Sequence, residues 1–284
     1  MDFIYYMKTL QKLIDLPEMR RSMPSPVGLV PTMGYLHEGH LSLVKQARQD
    51  CASVVVSIFV NPTQFGPSED LEAYPRDIPR DLDLLEKDGV DLVWIPERGD
   101  LYPPDFQTWV NVKDVAQPLE GALRPGHFRG VVTIVAKLFN AVQPEKAYFG
   151  QKDAQQVVVI RRMVKDLNFP LDIVVCPIVR EKDGLAMSSR NVYLNPQERE
   201  AATALFKALK KAESAFENLS LGAEDLREIM ADTIKNEPLA RMQYVSCSNP
   251  ETLEELSGPI NRALLSTAVV IGETRLIDNF LIGD

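Results

Sequence analysis

Val27-Gly28-Leu29-Val30-Pro31-Thr32-Met33-Gly34-Tyr35-Leu36-His37-Glu38-Gly39-His40 is the segment around which the rest of the chain falls into place. Its apolar lead-in, Val27 to Val30, predicts a short buried strand, broken by Pro31 and opened by Gly34. Beyond it Leu41, Leu43, Val44 and Ala47 recur at helical spacing, so a helix is expected to begin at Glu38 or Gly39. A strand, a glycine turn and a helix N-terminus present backbone N–H groups where an α/β sheet receives anions. His37 and His40 are three apart and share one face of that first turn. Two imidazoles beside a positive helix end suit a phosphate. The spacing also fits a simple helix cap, or a metal pair, although such a pair ordinarily needs a third ligand and a nearby glutamate base.

The chain has 284 residues, enough for one large domain or two ordinary ones. A composition 45% hydrophobic and 25% charged is that of a soluble globular protein. The net charge of −9, with no long basic run, argues against a nucleic-acid surface. No apolar run reaches the roughly 18–20 residues a membrane span needs. Met1-Asp2-Phe3-Ile4-Tyr5-Tyr6 has neither the basic nor the long apolar segment of a secretory leader. Cys51, Cys176 and Cys247 are odd in number, far apart and set among apolar residues. They are expected to be buried thiols in a reducing compartment, which points to the cytoplasm.

Along the chain, residues 8 to 20 carry a helical pattern closed by Pro17. Ser53 to Val60 is a continuous β-branched and aromatic run expected of a central parallel strand, and Asn61 to Pro67 form a loop at its carboxyl end. A helix over 79–87 and a strand over 91–96 follow. Phe106, Thr108, Val110 and Val112 alternate as an edge strand would, a hint of a subunit contact. Leu119 to Gly130, with three glycines, Arg124, Arg129 and His127, is either a surface loop or an anion-guiding one, ahead of a helix over 131–142. Lys146 to Phe149 and Leu171 to Val179 are strands flanking a helix from Asp153 to Asp166. This alternation of strand and helix predicts a doubly wound parallel sheet. From residue 178 the texture changes to helices over about 196–216 and 223–236 and three short strands, a smaller α+β unit. The expected division is therefore residues 1–177 and 178–284.

Pro31-Thr32-Met33-Gly34-Tyr35-Leu36-His37-Glu38-Gly39-His40 resembles the nucleotide signature of the pantoate–β-alanine ligase (pantothenate synthetase) family, a relative of the class I aminoacyl-tRNA synthetases and nucleotidyltransferases. The resemblance extends over nearly the whole chain, through Val60-Asn61-Pro62-Thr63-Gln64-Phe65, Phe149-Gly150-Gln151-Lys152-Asp153 and Met187-Ser188-Ser189-Arg190. His-x-x-His alone marks only the superfamily; the four segments in this order are specific to the ligase.

The resemblance implies a Rossmann-like domain with a lid, and a reaction in which (R)-pantoate is adenylated by ATP and then joined to β-alanine. It implies His37, His40, Lys152, Ser188, Ser189 and Arg190 as the catalytic set, with His40 at the family's proton-donor position and Arg190 where class I synthetases carry a lysine. Both imidazoles are read chiefly as hydrogen-bond donors to phosphate. Met33, Gly34, Tyr35, Leu36, Glu38 and Gly39 would border ATP on the first segment, and Gly150, Gln151, Asp153, Val179 and Met187 on the later ones. Gln151 stands where many relatives have an acidic residue. Gln64 and Gln156 are implied as pantoate residues, with Asn61 as a helper and Arg124 and His127 as looser candidates. Gln155 is adjacent to Gln156, and neighbours on a helix point about 100° apart, so only one of them should face a ligand. Mg²⁺ is expected to arrive with ATP rather than on a dedicated protein site, with Asp81 as a candidate contact, and a homodimer is a family expectation. The rival readings are a nucleotidyltransferase that stops at an adenylylated product and a non-catalytic ATP-binding protein on the same scaffold.

Overall fold

The structure, a computed structural model, describes residues 7–67, 69–219 and 221–283; Met1 to Tyr6, read above for the lack of a leader, lie outside the described residues. The chain divides into two compact units. One runs to Gly150 and takes in Val159–Cys176; the other comprises Gln151–Val158 and the chain from Pro177 onward.

The first unit is built on six strands: β1 (Lys8–Leu10), β2 (Val27–Thr32), β3 (Ser53–Ile58), β4 (Leu92–Trp94), β5 (Lys146–Gly150) and β6 (Asp172–Cys176). They lie in the order β1-β4-β3-β2-β5-β6, and every neighbouring pair is parallel. Strands β3 and β4 succeed β2 on one side and β5 and β6 lie on the other, so the winding reverses beside β2. In open α/β sheets the crevice at such a reversal, outside the strand carboxyl ends, receives the ligand. The helices of this unit are α1 (Leu16–Arg21), α2 (Glu38–Asp50), α3 (Ile78–Lys87), α4 (Arg98–Leu101), α5 (Glu120–Leu123), α6 (His127–Val142) and most of α7 (Ala154–Asp166).

Helix α2 begins where its periodicity predicts and buries Leu41, Leu43, Val44 and Ala47. Pro31 does not end β2 as expected. The ladder to β5 stops at Leu29, so the N–H that proline lacks falls where only β3 pairs. The expected helix over 8–20 is instead the edge strand β1, a 3-10 turn and α1. Pro17 lies in the first turn of α1 rather than closing a helix, because the N–H groups of a helix's first turn have no partner within the helix. Phe106 to Val112 is not a strand. Its aromatic rings pack on one another, Phe106 and Trp109 edge to face at 5.3 Å. The Val110 N–H donates to Thr133 Oγ1 of α6 at 3.1 Å, so a side chain takes the donor a sheet would have used. Helix α6 starts at His127, four residues before the apolar run suggests, which brings that histidine onto the helix.

The second unit holds the first turn of α7, then α8 (Pro196–Ala201), α9 (Thr203–Leu219), α10 (Ala223–Lys235), and β7 (Ala240–Ser248), β8 (Arg262–Ile271) and β9 (Thr274–Gly283). The strands form an antiparallel sheet in the order β7-β8-β9. Leu205 and Leu209 of α9, Leu226 and Met230 of α10, and Leu265 and Val269 of β8 share its core. The predicted class, a doubly wound parallel sheet with a smaller C-terminal α+β part, is the architecture found. All three cysteines are free and buried, and no helix among the described residues is long and apolar enough to cross a membrane.

Candidate active site

At the carboxyl end of β2 the chain makes a tight turn. Thr32 Oγ1 donates to the Ser57 carbonyl at 2.9 Å and accepts the Gly34 N–H at 3.2 Å. Gly34 sits at φ +82°, and a Cβ there would lie 3.0 Å from Ile58 Cγ2 and 3.1 Å from Asp81 Oδ2. Conformation and space both demand glycine. Tyr35 follows at φ +51°, a left-handed backbone rare for a side chain of that size. Asp81, on α3 and fully buried, holds it: its carboxylate accepts from the Tyr35 N–H at 2.7 Å and the Leu36 N–H at 2.8 Å. Burial pushes the Asp81 carboxyl above its ordinary value while those two N–H groups pull against it. Asp81 is therefore not placed to meet Mg²⁺, as the sequence suggested. Both of its oxygens are spent on the turn.

The turn leads into the histidines. His37 is the N-cap of α2, its Nδ1 accepting from the Gly39 N–H at 3.1 Å. His40 reaches back with Nδ1 to accept the His37 N–H at 3.4 Å. The ring centroids are 4.1 Å apart at a 39° tilt. The cap reading and the phosphate reading are therefore compatible. A ring whose Nδ1 accepts a backbone N–H carries its proton on Nε2 when neutral. Capping sets both imidazoles as Nε2–H donors at the positive end of α2.

At the carboxyl end of β3, Asn61 is 1% exposed and committed to protein partners. Its Nδ2 donates to Gln64 Oε1 at 3.0 Å and the Gly130 carbonyl at 3.2 Å, and its Oδ1 accepts from the Thr63 N–H and hydroxyl. Gln64 Nε2 contacts Met33 Sδ at 3.2 Å. Asn61 thus orients Gln64. Helix α6 forms the floor of this turn: a Cβ on Gly130 would lie 2.3 Å from the Thr63 carbonyl oxygen, so only glycine lets the two segments meet.

The loop before α6 exposes Ala122, Leu123, Pro125 and Gly126 at the surface, while Arg124 and His127 are bonded to protein partners. Arg124 is clamped by Glu69 through two bonds of 2.8 and 2.7 Å, and its third nitrogen lies 3.1 Å from His127 Nε2. His127 Nδ1 is 2.8 Å from the Gln64 carbonyl oxygen. Burial, then the Arg124 charge, lowers the His127 pKa from 6.5 to about 4. Burial lifts the Glu69 carboxyl, but the Arg124 bonds and charge hold it below its ordinary value.

In the second unit, Lys152 lies on the 3-10 turn Gln151–Asp153, its Nζ 3.6 Å from Asp153 Oδ1. The turn is fastened to β9. Asn279, 3% exposed, donates from Nδ2 to the carbonyls of Gln151 at 3.0 Å and Lys152 at 2.9 Å, and its Oδ1 accepts from Gln151 Nε2 at 3.0 Å. Its neighbour Asp278 pairs with Arg180 through bonds of 2.6 and 2.9 Å; burial pushes that carboxyl upward, and Arg180 draws it down. Arg180 opens the hairpin that carries the other expected residues, on which the Met187 N–H donates to the Val179 carbonyl at 3.0 Å. Ser188 then caps the short turn Ser189–Tyr193, its Oγ accepting the Arg190 N–H at 3.3 Å. Gln155 is buried and Gln156 half-buried on the first turn of α7, as their 100° separation requires.

The first unit therefore gathers Met33, Gly34, His37, His40, Asn61 and Gln64 at the ends of β2 and β3, with Gly150 ending β5. The second ties Gln151, Lys152 and the Val179–Arg190 hairpin to adjacent residues of one strand. The sequence reading missed Asn279, Asp278, Arg180 and Glu69. A signal existed for the first two: Asp278-Asn279 is a polar pair inside the apolar run Leu276 to Leu281, and buried polar side chains need partners.

A family model described as pantoate-beta-alanine ligase matches residues 4–281. The pantothenate synthetase of Roseiflexus sp. (strain RS-1) is 59% identical over 273 residues, which cover 96% of this chain and 98% of that protein. The crystal structure of pantothenate synthetase from Thermus thermophilus is 46% identical and superposes with a TM-score of 0.94 over 98% of this chain and 100% of its own. The Francisella tularensis pantoate-beta-alanine ligase, complexed with beta-gamma ATP and beta-alanine, is 37% identical, with a TM-score of 0.80 over 97% and 98% of the two chains.

Proposed function

The chain belongs to the pantoate–β-alanine ligase family, and from that premise we propose how its residues carry the reaction. The enzyme condenses pantoate with β-alanine to pantothenate at the expense of ATP. A carboxylate is a poor electrophile, so the route is two steps. A carboxylate oxygen of (R)-pantoate attacks the α-phosphorus of ATP, and the bond to pyrophosphate breaks as the new P–O bond forms. The neutral amine of β-alanine then attacks the acyl carbon of pantoyl adenylate, and AMP departs. Holding adenylate and amine side by side supplies on the order of 7–11 kcal/mol of the second barrier.

Negative charge grows on the phosphates in the first step, and fixed donors aimed at it lower that barrier. His37 and His40 donate from Nε2, with Met33 to Leu36, Glu38 and Gly39 shaping the nucleotide's seat. Lys152, Ser188, Ser189 and Arg190 supply the remaining cations and hydroxyls, a donor set suited to a polyphosphate. Gly150, Gln151, Asp153, Val179 and Met187 border the nucleotide, and Gln64, oriented by Asn61, and Gln156 hold the pantoate hydroxyls and carboxylate. Mg²⁺ enters on ATP, held mainly by phosphate and water. Among the described residues no three His, Cys, Asp or Glu side chains are grouped to hold a metal ion. The C-terminal part, residues 178–284, acts as a lid that keeps water from the mixed anhydride. Three free buried thiols suit a reducing cytoplasm, and the family resemblance suggests a homodimer.

The observation that supports this reading is the reciprocal capping of His37 and His40, which leaves the proton of each neutral ring on Nε2. Supplying ATP, pantoate and β-alanine and omitting each in turn tests it. AMP and pyrophosphate should both require pantoate, and pantothenate and sustained AMP release should require β-alanine. Pyrophosphate without AMP in the complete mixture would point to a nucleotidyltransferase, and ATP binding without turnover to a non-catalytic protein.

A further inference from the structure

Residues 119–130 carry the third histidine and an arginine that the proposed reaction leaves unused, and both belong to a partly buried chain of bonds: Glu69 to Arg124, Arg124 to His127, His127 to the Gln64 carbonyl. We propose that His127, held by Arg124 and Glu69, is a positioning residue for Gln64 and thereby sets the preference for a hydroxylated acid. The inference rests on reading Gln64 as a pantoate residue.

The chain permits one arrangement of protons. A guanidinium only donates, so His127 Nε2 must accept from Arg124, which leaves the proton on Nδ1 to be donated to the Gln64 carbonyl at 2.8 Å. A doubly protonated ring would set N–H against N–H at 3.1 Å. The groups facing the ring are the Arg124 guanidinium, the Glu69 and Glu120 carboxylates, the Gln64 carbonyl and the Phe128 ring at 4.9 Å. Burial among them keeps it neutral at ordinary pH.

Gln64 ends the 3-10 turn Pro62–Gln64, so the bond to its carbonyl fixes the peptide plane from which its side chain departs. Asn61 occupies one lone pair of Oε1 and Met33 one N–H of Nε2. Among partners within the described residues, one N–H and one lone pair of the amide remain for a ligand's hydroxyl and carboxylate. A side chain held at carbonyl and amide alike presents these at a fixed angle. Displacing such a group by about 1 Å is worth on the order of a hundredfold in rate. A site built to bond a hydroxyl rejects the analogue lacking it, by roughly 10⁴–10⁵ when every partner is rigid.

The test compares His127→Phe, which keeps a ring and loses both nitrogens, with His127→Asn, whose amide N–H can take the place of Nδ1–H. Steady-state constants are measured for pantoate, a deoxy analogue and ATP, alongside thermal melting. His127→Phe should raise the pantoate KM about tenfold or more, leave the ATP KM within about twofold and narrow the discrimination against the analogue. His127→Asn should recover most of both effects. An unchanged pantoate KM and discrimination in His127→Phe, or equal rises in both KM values, overturns the proposal. Should His127→Phe not fold, Glu69→Gln carries the test, with a pantoate KM rise of about threefold or more expected and no change overturning it. Gln64→Ala separates the two layers. If it leaves pantoate kinetics untouched, the reading of Gln64 falls and this inference with it. If it impairs them while His127→Phe does not, only the relay falls.

Discussion

The histidine turn and the lysine turn follow adjacent strands of one sheet, β2 and β5, yet they are secured in opposite ways. The histidines brace each other: each Nδ1 accepts an N–H within three residues of its own position. The Lys152 turn is fastened by Asn279, which lies 127 positions from Lys152 in sequence. In the first region the imidazoles and the N–H groups that orient them lie within His37 to His40, and only the turn before them leans on the distant Asp81. In the second the reactive ammonium is local and its support is remote. A short motif can be read from sequence only to the extent that its hydrogen-bond partners lie inside it.

The strongest way to break this comparison is His40→Ala. Removing one preorganised donor should slow pyrophosphate release by about 10²–10³, or about 3–4 kcal/mol in the barrier. The lost cap should lower stability by only about 1 kcal/mol. Rapid-quench pyrophosphate release and thermal melting measure the two, and near-normal release would remove His40 from the account.

The third histidine sharpens the contrast, since it is buried and braced by a charge. Its pKa falls from 6.5 in the unfolded chain to about 4 in the fold. The unfolded chain therefore binds the extra proton first. Stability from this group is complete above pH 6.5 and lost as pH falls toward 4, on the order of 3 kcal/mol. Urea unfolding across that window should show the loss in the native protein and a flatter limb in His127→Asn. The same slope in both would assign the acid sensitivity elsewhere.

Asn279→Ala probes the remote clamp. Two carbonyls and the Gln151 amide lose their partner, at about 1–3 kcal/mol for each group left buried and unsatisfied. Melting and pyrophosphate release should fall together, the release by about tenfold or more, whereas His40→Ala should separate them. Parallel behaviour of the two variants would erase the distinction between the regions. The smallest effect is expected from Gln151→Glu. A carboxylate cannot donate to Asn279 Oδ1, and an amide flip to suit it would take N–H donors from the Gln151 and Lys152 carbonyls. A loss of about two- to fivefold in kcat/KM for ATP is expected; a gain would show that the amide is not bonded as described.

What could be read in advance follows the same division. The helix start at Glu38 and the parallel core strands rest on local periodicity, and the structure bears them out. The false strand at 106–112 came from alternation without knowledge of Thr133, which takes the Val110 N–H. Pro17 reads as a stop because sequence alone does not say on which side of a proline the helix lies. Asp81 was a carboxylate near a phosphate motif and so a metal candidate, until its oxygens proved to hold the Tyr35 and Leu36 N–H groups. Arg124 and His127 were legible as chemistry and illegible in direction, because Glu69 and Gln64 reach them only through the fold.

The most direct test is the protonation of the two motif imidazoles, observed by nitrogen–proton correlation of the histidine rings with and without an ATP analogue. His37 and His40 should each show an unprotonated Nδ1 and a protonated Nε2, with the Nε2–H resonances moving when the analogue binds. Protons on Nδ1, or Nε2–H signals indifferent to the nucleotide, would contradict the claim that capping turns these rings into phosphate donors.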